Sequence, residues 1–213
     1  IFLQGLGLGQ GAAARILRRY QEHTIERVRE NPYRLAVEVQ GVGFLTADKL
    51  AATLGILPDS PHRLRAGLLH SLIVAAEEGH CMLPRGELLR RAEELLGRPA
   101  KELSPCLSAL LLERTIAIEE VLGDEHVYLF ETQAEEEEAA ERLVALIGGE
   151  LPGTALASGE GSTGELGFEL AEAQSKALAT ALTHRVTVIT GGPGTGKTTI
   201  IRALLAQLRR DPF

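Results

Sequence analysis

The residues Gly191-Gly192-Pro193-Gly194-Thr195-Gly196-Lys197-Thr198 satisfy the spacing G-x-x-x-x-G-K-[ST]. Each residue type in that run answers a demand of a polyphosphate. Glycines let the backbone curl until successive N–H groups converge on phosphate oxygens. A helix starting at the lysine adds the positive end of its dipole. The Lys197 ammonium can reach the β- and γ-phosphates, and the Thr198 hydroxyl can ligate Mg²⁺. Gly192, Pro193, Gly194, Thr195, Gly196, Lys197, Thr198 and Thr199 are therefore candidate nucleotide-binding residues, with Lys197 and Thr198 as the catalytic pair. Two elements must position them. Val186 to Thr190 is β-branched and predicts a buried strand, and Thr198 to Leu208 predicts a helix. A merely structural glycine turn is the competing reading, and it asks for neither the lysine nor this context.

The same chemistry defines what is missing. Phosphoryl transfer also needs an acidic metal partner on a second strand, a residue that orients water, and an arginine for the developing charge. After Lys197 the sequence offers sixteen residues, ending Arg209-Arg210-Asp211-Pro212-Phe213. The expectation is a portion of a longer ATPase, inactive in hydrolysis by itself.

A second signal is an internal repeat. Gly7-Leu8-Gly9-Gln10-Gly11-Ala12-Ala13-Ala14-Arg15-Ile16 superposes on Gly41-Val42-Gly43-Phe44-Leu45-Thr46-Ala47-Asp48-Lys49-Leu50. Each Gly-x-Gly precedes an apolar helical stripe, first Ala13, Ile16, Leu17 and Tyr20, then Ala47, Leu50, Ala51 and Leu54. Asn31-Pro32 reads as an N-cap with proline at the first helical position, and Gly55 as a stop. The pattern predicts two short helix-turn-helix units over residues 1–57. The amides of Gly7, Gly9, Gly41 and Gly43 and the bases Arg15 and Lys49 are candidate contacts to DNA phosphates, independent of base sequence. Docking of the same hairpins onto other domains is the alternative.

Between these signals, Arg63 to Gly79, Pro84 to Leu96 and a segment opening at Ser104-Pro105 read as three helices. Ile116 to Val121 and Val127 to Phe130 read as a hairpin around Gly123-Asp124. That order over residues 58–147 fits a winged helix or a helical spacer with a β-tail. Glu131 to Ile147 closes it as a helix, with Thr132 and Glu135 expected as a capping box. Gly148 to Glu165 holds six glycines and reads as a flexible linker at a domain boundary. Residues 166–213 follow, with a further helix over Leu166 to Leu182.

The net charge of −7 argues against nucleic acid only when taken as one number. Residues 131–172 carry one base and eleven acids, whereas residues 1–55 carry seven bases and five acids. Counterion release depends on local bases, so the total excludes nothing. Cys81 and Cys106 are too few for a disulfide or zinc scaffold, and none of the six histidines has catalytic spacing. No apolar run is long enough to span a membrane and no leader opens the chain, so the expected compartment is cytoplasmic.

With these residues in hand, the chain resembles the N-terminal part of the RecD-like superfamily 1 DNA helicases, in their stand-alone long form. Val188-Ile189-Thr190-Gly191-Gly192-Pro193-Gly194-Thr195-Gly196-Lys197-Thr198-Thr199 is similar to that family's motif I. Leu170-Ala171-Glu172-Ala173-Gln174 resembles its Q motif, which makes Gln174 the candidate adenine reader. The tandem Gly-x-Gly hairpins resemble those the family carries before its motor. The resemblance implies a mainly α N-terminal region, comprising tandem helix-hairpin-helix units and then a winged-helix-like or helical domain. The start of a P-loop α/β (RecA-like) domain would follow. It implies ATP and Mg²⁺ as cofactors and 5′ to 3′ translocation on single-stranded or tailed duplex DNA. It also implies a monomer acting in repair or recombination, with a repair-protein partner. Two other readings stay open. One is a non-enzymatic DNA-binding or docking module with a vestigial loop, and the other is a different P-loop enzyme such as a small kinase or clamp-loader-type ATPase.

Overall fold

Residues 2–149 and 169–210 are described by a computed structural model, which divides into two units, Ile1–Glu135 and Glu136–Phe213. In the first unit, α1 (Phe2–Gly5) and α2 (Gln10–Tyr20) form one helical hairpin, and α4 (Arg34–Glu38) and α5 (Phe44–Thr53) form a second. A 3₁₀ turn over Gln21–His23 and α3 (Thr24–Glu30) connect them. The 34-residue repeat is thus a repeat of backbone geometry. Gly7 and Gly41 have φ of 82° and 78°, a region that glycine enters without a Cβ penalty. Gly9 and Gly43 are extended N-caps that start α2 and α5. Leu8 and Val42, between the paired glycines, both turn into one core with Ile16, Val28, Leu35 and Leu50.

The rest of the first unit runs α6 (Pro61–Glu77), β1 (Met82–Pro84), α7 (Arg85–Leu96), α8 (Ala100–Leu112), β2 (Ile116–Val121) and β3 (Asp124–Leu129). Both β1 and β2 pair antiparallel with β3, with Leu83 and Ile118 opposite Val127, so the sheet order is β1-β3-β2. Helix, strand, two helices and a two-stranded wing make the winged-helix order. Its core gathers Leu68, Leu72, Leu88, Leu103, Leu107, Ile116 and Val127, and it also takes Phe44, Ala47 and Ala51 from α5. Helix α5 therefore lines two cores, with Leu50 in the first and Ala47 and Ala51 in the second.

A polar clamp reinforces that seam. The Arg63 guanidinium donates from Nε to Asp48 Oδ1 at 2.8 Å and from Nη2 to Oδ2 at 3.1 Å, and the Tyr33 hydroxyl donates to Oδ1 at 2.7 Å. Arg63 also donates to the carbonyls of Pro58 and Leu96. Burial pushes the Asp48 carboxyl up, but the bonds from Arg63 and Tyr33 outweigh it and hold the group below its ordinary value.

The fold departs from the sequence pattern at five points. Helix α8 opens at Ala100 and not at Ser104-Pro105, because the Glu93 carboxylate accepts the Ala100 N–H and supplies a start four residues earlier. Pro105 then lies inside the helix with its ring exposed. Thr132 is the third residue of α9 (Phe130–Gly148) and caps nothing. That helix begins straight from β3, where Phe130 N–H donates to the Thr115 carbonyl. Asn31 Oδ1 accepts the Tyr33 N–H at 3.1 Å, so Asn31-Pro32 is a turn before α4 and Pro32 is not its first residue. In the second unit α10 spans Glu172–Thr183, with Glu169 to Ala171 outside the helix. Val186 to Thr190 belongs to no sheet among the described residues, since a strand exists only with a partner to hydrogen-bond. Of the expected linker, Glu150 to Glu165 lies outside the described residues, as do Leu166 to Phe168.

Candidate nucleotide site and helical hairpins

The second unit pairs α10 with α11 (Lys197–Arg210), and residues 184–196 connect them. Ile200 and Ala203 are buried on α11, which seats the helix and fixes the direction of its first turn. Gly194 and Gly196 have φ of 77° and 82°, so the chain curls before α11 as the glycine spacing demanded. The N–H groups of Gly194, Thr195, Gly196, Lys197 and Thr198 make no hydrogen bond among the described residues. Five successive free donors at the N-terminus of a fourteen-residue helix form an anion cradle. A Cβ at Gly192 or Gly194 would meet nothing within 4 Å.

Three side chains shape the loop. The Lys197 ammonium donates to the carbonyls of Gly191 and Gly192, both at 2.7 Å. The Thr195 hydroxyl donates to the Gly192 carbonyl at 2.9 Å. Gln174, at the third position of α10, accepts the Ala171 N–H on Oε1 at 3.0 Å and donates from Nε2 to the Thr195 carbonyl at 3.1 Å. The structure thus brings Gln174, Thr195, Gly196 and Lys197 into one cluster. Pro193 sits in the turn, Thr198 is exposed on the first turn of α11, and Thr199 N–H bonds the Gly196 carbonyl. The contact between Gln174 and the loop was missed from sequence. It joins residues 21 apart through a backbone carbonyl, which leaves no trace in residue types.

The hairpins lie in the first unit. Gly7, Gly9, Gly41 and Gly43 are all exposed, as are Arg15 and Lys49. Their environments differ despite the repeat. Phe44, directly after Gly43, is 2% exposed and stacks on Tyr33 and His70 with centroids 5.9 and 5.2 Å away. Its counterpart Gln10, directly after Gly9, is exposed. The second hairpin is docked through that ring and the first is open. Arg15 reaches from its own hairpin to the other, with Nη1 3.6 Å from where a Cβ on Gly11 would lie. Its guanidinium lies against Gly41, where an added Cβ would come within 2.9 Å of Nη2. Neither Arg15 nor Arg18 forms an ion pair among the described residues, whereas Arg19 lies 3.8 Å from Glu38. The Tyr20 hydroxyl donates to Glu38 at 3.1 Å and ties α2 to α4. Burial and then the Glu38 carboxylate push that phenol up to about 12. Of the exposed bases proposed for phosphate contact, Arg15 lies on α2 and Lys49 on α5, each on the helix that follows its glycine loop.

No group of three or more His, Cys, Asp or Glu that could hold a metal occurs among the described residues. No helix among them is long and apolar enough to cross a membrane.

Comparison with known proteins finds family matches over the two regions just described. Residues 1–82 match the family described as the ATP-dependent RecD2 DNA helicase HHH domain, and residues 174–212 match an AAA domain. An ATP-dependent RecD2 DNA helicase from Deinococcus radiodurans is 32% identical over 225 residues. That alignment covers 95% of this chain and 30% of the relative, so the chain spans about 30% of the length of the curated relative it matches.

Proposed function

We propose that this chain, which resembles the N-terminal part of the RecD-like DNA helicases, contributes the DNA-facing accessory region and the first nucleotide-binding elements of an ATP-dependent helicase. One observation carries the reading. A tandem helix-hairpin-helix region and a phosphate loop with a glutamine held against it occur in the same chain, at residues 1–82 and 174–212.

The residues present fit a nucleoside triphosphate with Mg²⁺. Five amides have no protein acceptor among the described residues, the Cβ positions of Gly192 and Gly194 are open, and the Thr198 hydroxyl is exposed. Mg²⁺, when bound, neutralises charge on the β- and γ-oxygens. Gly194 to Thr198 would donate N–H bonds to the phosphates, and Thr198 would be the metal's protein ligand. Lys197 would exchange the carbonyls of Gly191 and Gly192 for phosphate oxygens, a stronger partner for an ammonium. Gln174 would select adenine. The hairpins would hold DNA through phosphates, with Arg15, Lys49 and the amides of Gly7, Gly9, Gly41 and Gly43 as contacts. The substrate would be single-stranded or tailed duplex DNA, with 5′ to 3′ movement, in a cytoplasmic repair or recombination process. The helicase would act as a monomer, alone or with a repair protein.

The test is steady-state ATP hydrolysis by the full-length protein, with and without single-stranded DNA, beside its Lys197→Ala variant. The expected result is strong stimulation by DNA, lost in the variant by at least about a hundredfold. Hydrolysis indifferent to DNA would point to another P-loop enzyme. Absence of hydrolysis in both proteins would leave DNA binding by the hairpins as the activity.

A further inference from the structure

We propose that Gln174 is a positioning residue for the phosphate end of the nucleotide, because its amide fixes the peptide between Thr195 and Gly196. The proposal rests on the nucleotide-site reading above and goes beyond the base-selecting role considered there.

Both ends of the Gln174 amide are engaged, and by partners of opposite kind. The Ala171 N–H can only donate, so it requires Oε1, and the Thr195 carbonyl can only accept, so it requires Nε2. The amide therefore has one orientation. The first bond fixes Gln174 to the start of α10, where Ala171 has no side-chain oxygen of its own to cap the helix. The second carries that fixed point across to the loop.

The peptide joining Thr195 and Gly196 is trans, so its C=O and N–H point in opposite directions. Holding the Thr195 carbonyl on Gln174 turns the Gly196 N–H away from α10. That N–H is the central one of the five free donors. Gly196 needs such a restraint, since at φ of 82° a glycine peptide has little steric preference for either orientation. A side chain could not supply it locally, because a Cβ on Gly196 would run into the Gln174 amide. Gln174 thus places an anion donor without touching the phosphate.

The amide also keeps capacity for a base. Oε1 has a second lone pair and Nε2 a second N–H, an acceptor–donor pair matching the N6 and N7 edge of adenine. One side chain would then serve both ends of the nucleotide.

The experiment separates the two roles with a ligand that has no base. Binding of Mg²⁺-tripolyphosphate and of Mg²⁺-ATP is measured by calorimetry on the full-length protein and on Gln174→Met, Gln174→Glu and Lys197→Ala. Methionine is neutral, similar in length, and removes both contacts. Glutamate keeps the acceptor for Ala171 and removes only the donor to Thr195, so the start of α10 is preserved. The expected result is about tenfold weaker tripolyphosphate binding in both Gln174 variants, roughly the loss of one well-aimed donor to a charged oxygen. ATP binding should fall by at least as much. Unchanged tripolyphosphate binding with weakened ATP binding would make Gln174 a base reader only and overturn the proposal. Loss in Gln174→Met alone would assign the effect to α10, and loss in Gln174→Glu alone would assign it to charge; either overturns it. If tripolyphosphate binds the parent protein and Lys197→Ala equally, the nucleotide-site reading itself has failed.

Discussion

At the scale of single residues, two glycines with the same sign of φ do different work. Gly41 turns the chain in the second hairpin and accepts the Arg15 guanidinium against its open face. Gly196 turns the phosphate loop and is closed on one face by Gln174. Alanine at Gly196 would meet both a left-handed backbone, which costs roughly 1 kcal/mol for an L-residue, and the glutamine amide. Gly196→Ala is expected to weaken ATP binding by at least about tenfold in equilibrium titration. At Gly41 the obstacle is the far end of a flexible arginine, which can swing away. Gly41→Ala should therefore cost only the backbone strain, about 1 kcal/mol in chemical denaturation. These glycines were legible in the sequence because their spacing is the geometry. The partners Arg15 and Gln174 were legible only as residue types. Arg15 reads in sequence as part of its own hairpin, and the fold sets its guanidinium against Gly11 there and against Gly41 of the other.

At the scale of elements, α5 sets the behaviour of the first unit. Its stripe of Ala47, Leu50, Ala51 and Leu54 reads in sequence as one face, yet Leu50 serves the hairpin core and Ala47 and Ala51 serve the winged-helix core. Periodicity reports that a face is buried and not against what. The wing was foreseen because its strands alternate around a glycine turn. Strand β1 was not, since three residues ending in proline carry no alternation. The start of α8 was misplaced for a similar reason: proline favours first turns, and only the Glu93 carboxylate reveals the earlier one.

The clamp on α5 gives a pH signature. With its folded carboxyl held below the ordinary value of 3.8, Asp48 contributes stability that is fully present above that value. The contribution is lost as pH falls through the folded value. Asp48 and Arg63 are 24% and 15% exposed, so removing the charge should cost about 2 kcal/mol, less than for a fully buried pair. Asp48→Asn is expected to show that deficit in denaturant titrations from neutral pH to about 4, and a shrinking one below. A deficit that stays constant into acid would mean that Asp48 acts through packing and not through its charge. Close packing gives a second expectation on α6. A Cβ at Gly67 would lie 2.6 Å from both Leu96 methyl carbons, so Gly67→Ala should destabilise the unit by about 1–3 kcal/mol despite alanine's better helix propensity.

At the scale of the whole molecule, charge is sorted along the chain. Residues 131–172 hold eleven acids, and the stretches that carry the hairpins and the phosphate loop are basic. A polyanion should therefore engage particular segments even though the protein is acidic overall. The affinity of the full-length protein for single-stranded DNA is expected to fall linearly on a log–log plot against salt. In Arg15→Ala the slope should be shallower by about one ion per lost phosphate contact. An unchanged slope would remove Arg15 from the contact set and leave the hairpins as docking elements.

Because one helix completes two cores, the hairpin pair is not a portable cassette. Excised at residue 57 and grafted onto another protein, it would carry Phe44, Ala47 and Ala51 as a bared apolar strip and leave Asp48 without its arginine. Transplants should succeed only when the winged helix travels with it, and chimeras joined between α5 and α6 should aggregate. The piece expected to survive transfer intact is the whole first unit, Ile1–Glu135.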